Sequence, residues 1–293
     1  MAKTQGAWNG QSRGNRLGYL IFVYMIRYLG LGFAYAVLAL VIVYYVLFAP
    51  KQVKAIWNYH RNHLGEGRMR AAVNVYRHFY TFGQALVDRL AIKGGLASKY
   101  TFEYENYEQM LRFIDQERGA IFIGAHMGSW EVGSMFFGKY GKKINVVKYD
   151  AERKEVKDVV DRHTEAEPYK SIYMTQDPIG AMIEVKVALN NGEYICFDGD
   201  RYTNLATAAE IPFFGGKAPF PTGPFKVASK CRVPAVFFYA LREKGRKFRF
   251  IFELVDEEKI STDELMTRFA ASLEDKISRY PLQWYNFFEF WTE

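Results

Sequence analysis

The chain is poor in cysteine. Its 293 residues include only Cys196 and Cys231, too few for the disulfide framework of a small secreted domain, and a reduced compartment fits their strand and loop surroundings. Acidic residues are missing from the amino end. None precedes Glu66, whereas Lys3, Arg13, Arg16, Arg27, Lys51, Lys54 and Arg61 all do. Beyond Gly65, 32 basic and 32 acidic residues cancel, so the whole net charge of +7 lies in the first 65 positions. A nucleic-acid-binding fold spreads its basic face over the folded domain, so this placement excludes that class and favours a membrane surface. There is no internal repeat and no low-complexity tract. No Gly-x-Ser-x-Gly elbow surrounds Ser129, which removes the usual serine nucleophile. The glycine-rich stretch from Gly6 to Gly18 lacks the Lys-Ser/Thr ending of a phosphate loop. His60, His63, His78 and His163 lack the spacing and paired cysteines of a zinc site.

Apolar residues are plentiful at 49%, and aromatic ones reach 17%. That is enough for a full core. Between Arg27 and Lys51 lie 23 uncharged residues, and an apolar helix needs roughly 20 to cross a bilayer. The run is too long for a cleavable signal peptide and has no small-x-small exit. A full span and a helix lying in one leaflet both fit it, and a buried helix of a soluble domain is the bland alternative. Basic residues flank both ends, so the positive-inside rule leaves orientation open. The chain divides into a basic, membrane-anchoring segment (1–52) and one globular domain (53–293).

Within that domain, Val53 to about Ile92 carries helical periodicity that ends at Lys93-Gly94-Gly95. Asn106 is placed to cap a helix running to about Arg118. Ala120 to Gly124 is a continuous apolar run of the kind buried on both faces of a sheet. Further strands are expected at Ile144 to Tyr149, Tyr194 to Phe197, Pro234 to Ala240 and Phe248 to Val255. Asp177-Pro178 opens a helix to about Asn190, and Ser261 to Glu264 is a capping box for one reaching about Arg279. Strands alternating with helices predict an α/β fold with a mostly parallel central sheet flanked by helices. The aromatic tail from Gln283 to Thr292 reads as a packed terminal helix, with an interfacial patch as the alternative.

The chemistry concentrates after the apolar strand, at Gly124-Ala-His126-Met-Gly128-Ser129-Trp130-Glu131. On a regular helix, residues five apart face about 140° away from each other. His126 and Glu131 therefore meet only if the histidine ends the strand and the glutamate lies in the first turn of the next helix. Ser129 suits the N-cap of that helix and Gly128 eases the bend. Glu131 is then expected to fold back, fix the imidazole tautomer and stabilise the imidazolium, the logic of a catalytic triad without its serine. Backbone N–H groups near Gly128 and Ser129, or an arginine, are the candidate oxyanion donors. Asp198 and Asp200 follow a predicted strand and should reach the same sheet edge, where α/β folds bind ligands. A solvated turn is the plainer reading of that pair. Cys196, inside the strand, reads as a small buried apolar residue.

His126-x4-Glu131 after an apolar strand resembles the glycerolipid acyltransferase superfamily. The ordered set resembles its late lipid A acyltransferase branch, which acylates lipid A precursors in Gram-negative bacteria. That set is His126-x4-Glu131, Phe197-Asp198-Gly199-Asp200-Arg201, Ile211 to Gly215 followed by Phe220-Pro221-Thr222-Gly223-Pro224, and Gln283-Trp284-Tyr285. The likeness runs from about Arg13 to the end. It implies a glycerolipid acyltransferase-like fold with an N-terminal membrane helix, sited at the bacterial inner membrane with the catalytic domain on the cytoplasmic side.

The resemblance also implies a reaction: a fatty acyl group passes from an acyl thioester, on acyl carrier protein or coenzyme A, to a lipid hydroxyl. His126 is the general base, and no metal or other cofactor is required. Asp198, Asp200 and Arg201 help complete the site, and Arg162 or Arg153 is a candidate for binding donor or headgroup. The stretch from Phe213-Phe214-Gly215-Gly216 to Pro224, which includes Phe220, Pro221, Thr222 and Gly223, reads as a stiff, apolar loop that suits an acyl groove, or simply a rigid turn. A lipid A precursor is the expected acceptor. Gly199 and Arg201 depart from the best-known pattern of the branch, which keeps a lysophospholipid, an aminolipid or a polyene pigment as alternatives. A catalytically idle lipid-binding protein and a membrane-tethered hydrolase are the readings from other classes.

Overall fold

In a computed structural model, the structure describes residues 16–129, 131–133, 140–148, 169–174, 177–202 and 205–291. Seven strands form one sheet: β1 (Thr101–Glu105), β2 (Ala120–Gly124), β3 (Ile144–Lys148), β4 (Lys170–Tyr173), β5 (Tyr194–Asp198), β8 (Ala235–Glu243) and β9 (Lys247–Val255). Their order is β1-β9-β8-β2-β5-β3-β4, and every pairing is parallel except β8 with β9. The expected parallel α/β sheet is present. Short β1 and β4 carry too few apolar residues to announce themselves, and they occupy the two edges.

Alternation along the strands feeds two cores. Phe122, Val236, Phe238, Phe248, Phe250 and Phe252 face one side of the sheet. There they meet α2 (Gly30–Phe48), α4 (Arg68–Ala91) and α5 (Tyr107–Ile114). Ile121, Ile123, Ile195, Phe237, Tyr239 and Ile251 face the other side. They pack on α6 (Pro178–Asn190), α7 (Gly223–Cys231) and α8 (Thr262–Arg279). Buried on both faces, β2 can only be a run of apolar side chains. The Asp177 cap accepts from Gly180 N at 2.9 Å, and Ser261 accepts from Glu264 N at 3.1 Å, as their sequences predict.

Four local expectations are corrected. The helix expected from Val53 is two: α3 (Pro50–Asn58), extended by a π-helical turn, and α4, separated by a bend at Gly65 with φ +65°. Asn106 has left-handed backbone, and its amide donates to Phe252 O at 3.0 Å instead of capping α5, which ends at Ile114. The apolar stretch around Phe213 to Pro221 is a hairpin, β6 (Ala208–Phe213) against β7 (Gly216–Pro221). Phe214 and Gly215 both take positive φ at its turn, the two-residue geometry that matches strand twist. Its prolines are tolerated because each strand has a single neighbour. The tail after α8 is packed but not helical: Pro281 stops α8, and the backbone beyond bonds to the segment leaving β2.

Candidate active site

Parallel register builds the site. Gly124 at the end of β2 lies opposite Asp198 at the end of β5. Two residues further along each strand, His126 is therefore level with Asp200. The two side chains meet: His126 Nδ1 is 2.9 Å from Asp200 Oδ1, and the His126 N–H donates to Asp200 Oδ2 at 2.9 Å. Gly199 N donates to Gly124 O at 2.8 Å, which locks the two strand exits together. Asp198 Oδ2 stands 3.6 Å from the other ring nitrogen, Nε2.

The two aspartates differ in setting. The Asp200 side chain is 2% exposed and that of Asp198 is 37% exposed. Burial alone would push the Asp200 carboxyl up. The charge and hydrogen bond of His126, the nearby Arg201 guanidinium and the Trp284 indole outweigh it and hold the group below the usual carboxylate range. The indole N–H donates to Asp200 Oδ2 at 2.9 Å. Arg201 is half-buried and donates to Tyr285 O at 2.9 Å. Burial lowers its pKa, against the opposing pull of Asp200 and Asp198.

The closing Gln283-Trp284-Tyr285 motif clamps this arrangement. Tyr285 N donates to His126 O at 2.7 Å and Gly128 N donates to Gln283 O at 2.9 Å. The Gln283 side chain brackets Arg242 in β8, accepting from its N–H and donating to its carbonyl. Gly128 has φ +66°, and a Cβ there would lie 2.1 Å from Ala240 O, so no other residue fits.

The contact expected of Glu131 at Nδ1 is filled by Asp200. Glu131, in the helical segment 131–133, forms an ion pair with Arg89 of α4. Strand register brings Asp200 to the imidazole without any fold-back of the chain, which is the physical reason for the difference. The N–H groups of Gly128 and Ser129 are also committed, to Gln283 O and to Ala240 O, so they are not the oxyanion donors expected. The Ser129 carbonyl accepts from Val132 N at 3.0 Å. Phe220 is wholly buried against Phe213, Phe269 and Phe290, a core residue and not the wall of an open groove. Pro221 pairs with Ala208, Thr222 bonds to Thr207 O, and Gly223 begins α7. Arg162 and Arg153 lie outside the described residues. Burial, with a contribution from Asp198, pushes the Cys196 thiol up to about 12, which leaves it unreactive.

Sequence reasoning missed the support behind Asp200. Trp284 is fully buried. Its carbonyl faces His78 Nε2 at 2.9 Å, His78 Nδ1 faces His60 Nε2 at 3.4 Å, and His60 Nδ1 lies 3.1 Å from Glu66 Oε2. Burial, helped by His60, pushes His78 down to about 3. A neutral ring facing a carbonyl must carry its proton on Nε2. No local motif marks these residues, because they converge from α3's extension, α4 and the tail.

Among the described residues, no group of three or more His, Cys, Asp or Glu side chains is arranged to hold a metal ion. Comparison with curated proteins returned no match. A family model described as bacterial lipid A biosynthesis acyltransferase matches residues 75–293, a span that contains His126, Glu131, Asp198, Asp200 and the closing tryptophan but begins inside α4, after the apolar helix. With three quarters of its length matched, the chain belongs to the bacterial lipid A biosynthesis acyltransferases.

Proposed function

We propose that the protein transfers a fatty acyl group from an acyl thioester to a hydroxyl of a lipid A precursor, with His126 as general base and Asp200 as the carboxylate that orients it. The observation that carries this reading is the imidazole held between two aspartates at the carboxyl edge of the sheet. With Nδ1–H donated to Asp200, the neutral ring has its basic lone pair on Nε2. The acceptor hydroxyl gives its proton to Nε2 as its oxygen attacks the thioester carbonyl. The tetrahedral intermediate then collapses, the C–S bond breaks, and the departing sulfur takes the proton back. An ester and a thiol result, with no net change on the enzyme. Asp198, near Nε2 and partly exposed, stabilises the imidazolium between those two steps. General-base assistance of this kind is worth ~10²–10⁴ in rate.

Glu131 has a different task in this scheme. Paired with Arg89, it holds the start of the helix after His126 against α4. Acyl carrier protein or coenzyme A carries the donor, and the reaction takes place at the cytoplasmic face of the inner membrane, where such thioesters are available. The proton chemistry calls on no metal or other cofactor.

Mass spectrometry of membrane lipids from cells with and without the gene tests the reading. One lipid A species heavier by a single acyl chain, lost when His126→Ala replaces the natural protein, is the expected result. The gain on a phospholipid, an aminolipid or a pigment would transfer the mechanism to another acceptor. Free fatty acid without an acylated lipid would overturn it.

A further inference from the structure

The apolar run at the amino end is not one straight helix. Helix α1 (Arg16–Tyr24) and a π-helical turn (Met25–Leu29) lead to Gly30, whose φ of +85° and ψ of 169° break the axis before α2. Leu31, Ala34, Leu38 and Ile42 form one buried stripe along α2. The stripe lies on α4, and three contacts fix it there. The Tyr35 hydroxyl bonds to the buried Asp88, which also accepts from Arg242 Nε at 2.6 Å. Tyr76 of α4 donates to Ala39 O at 3.0 Å. Leu38 fills the space left by Gly83, where a Cβ would lie 2.6 Å from its Cδ1.

Length then decides between crossing and lying flat. A hydrocarbon core is about 30 Å thick and an α-helix rises about 1.5 Å per residue. Residues 31–42 are seated on the globular domain; at one end 43–48 extend beyond the last buried residue of the stripe, roughly 9 Å of helix, and at the other the apolar stretch continues back to Leu17 but is broken at Gly30 and held to the domain by the buried Met25 and Ile26. The next helix, α3, is itself tied back, with Ala55 and Ile56 buried and Asn58 donating to Glu289. For α2 to cross a bilayer, α4 would have to enter with it, together with the Asp88–Arg242 pair and exposed Arg68, Arg70 and Arg77. The outward face of α2 is nevertheless apolar: Phe33, Leu40, Val43, Tyr44, Leu47 and Phe48 are exposed, Leu40 by 74%. Met69 and Val73 of α4 are exposed as well. Arg27, Lys51 and Lys54 flank α2 with positive charge and no acidic residue.

We propose that α2 does not cross the membrane but lies in the plane of one leaflet, its outer face among acyl chains and its basic flanks on anionic headgroups. One side of the helix belongs to the enzyme and the other to the lipid. In-plane helices of this kind bury their apolar face about 5–10 Å into the headgroup and acyl boundary.

The test uses the full chain in vesicles of phosphatidylethanolamine and phosphatidylglycerol. A small fluorescent amino acid is placed in turn at Phe33, Leu40 and Leu47, seven residues apart on the outer face, and quenched by lipids brominated at different depths. An in-plane helix gives all three positions one shallow depth. A spanning helix gives depths that step by about 10 Å per position, and that result overturns the proposal. Absence of quenching at all three overturns it too, since a second copy of the chain or another protein then covers the face. Protease digestion of sealed vesicles gives an independent readout. A tag at the amino terminus and another in the turn at Gly245 are expected to be cut from the same side. Opposite sides contradict the proposal.

Discussion

Two buried aspartates hold this molecule together in different ways. Asp88 of α4 is fully buried and bonded to Tyr35, Tyr100 and Arg242. Asp200 is almost as buried and bonded to His126 and Trp284. Around Asp88 every partner is a permanent donor or a permanent cation, and the cluster ties the apolar helix to the sheet. Around Asp200 one partner is an imidazole that remains 23% exposed at the sheet edge. Burial of a carboxylate does not identify a catalytic site. A buried carboxylate whose partner can exchange a proton with something arriving from outside is the better candidate for one.

The comparison predicts opposite phenotypes, and the largest is on rate. His126→Ala should lower kcat by about 10²–10⁴ with little change in melting temperature. Measuring both on one purified preparation checks it, and loss of fold would break the contrast. Asp88→Asn should do the reverse. Leaving Arg242 buried without its counter-ion costs about 3–5 kcal/mol, visible as a lower midpoint in denaturant, while activity per folded molecule stays near that of the parent.

A smaller effect is expected from Trp284→Phe, which removes a hydrogen bond to a charged group worth about 1.5–3 kcal/mol. If that bond serves the orientation of His126, kcat falls at least tenfold while KM stays within a few-fold. A purely structural tryptophan would change only stability. The smallest expected effect concerns pH. His78 is neutral when folded and has a pKa pushed down to about 3, whereas an unfolded histidine titrates near 6.5. Its contribution is full above pH ~6.5 and is lost as pH falls towards the folded value. Stability should therefore decline below pH ~6.5, and the decline should be shallower in His78→Gln. Asp200, held below the usual carboxylate range, adds a second decline further into acid, below the ordinary carboxylate pKa of about 4.

Much of this was legible in the chain. The apolar run of β2, the alternation of phenylalanines in β9 and the caps at Asp177 and Ser261 are local signals, and each produced the element it predicts. The position of His126 at a strand end was legible for the same reason. Its partner was not. Glu131 is five residues away in sequence and Asp200 is seventy-four, so nearness along the chain favoured Glu131 over the carboxylate that meets Nδ1. Only the pairing of β2 with β5, with Gly124 opposite Asp198, puts the distant one beside the ring. The hairpin of β6 and β7 is disguised by its prolines and glycines, which signal a loop unless the strands have only one neighbour each. The buried line through Glu66, His60, His78 and Trp284 left no local trace at all.

The identity of that partner is open to direct comparison by the steady-state kinetics of Asp200→Asn against Glu131→Gln, each with its melting temperature. Asp200→Asn should lose about 10²–10⁴ in kcat with KM little changed, and Glu131→Gln should retain activity within about tenfold of the parent. Asp200→Asn near full activity beside Glu131→Gln as inactive as His126→Ala would contradict the account.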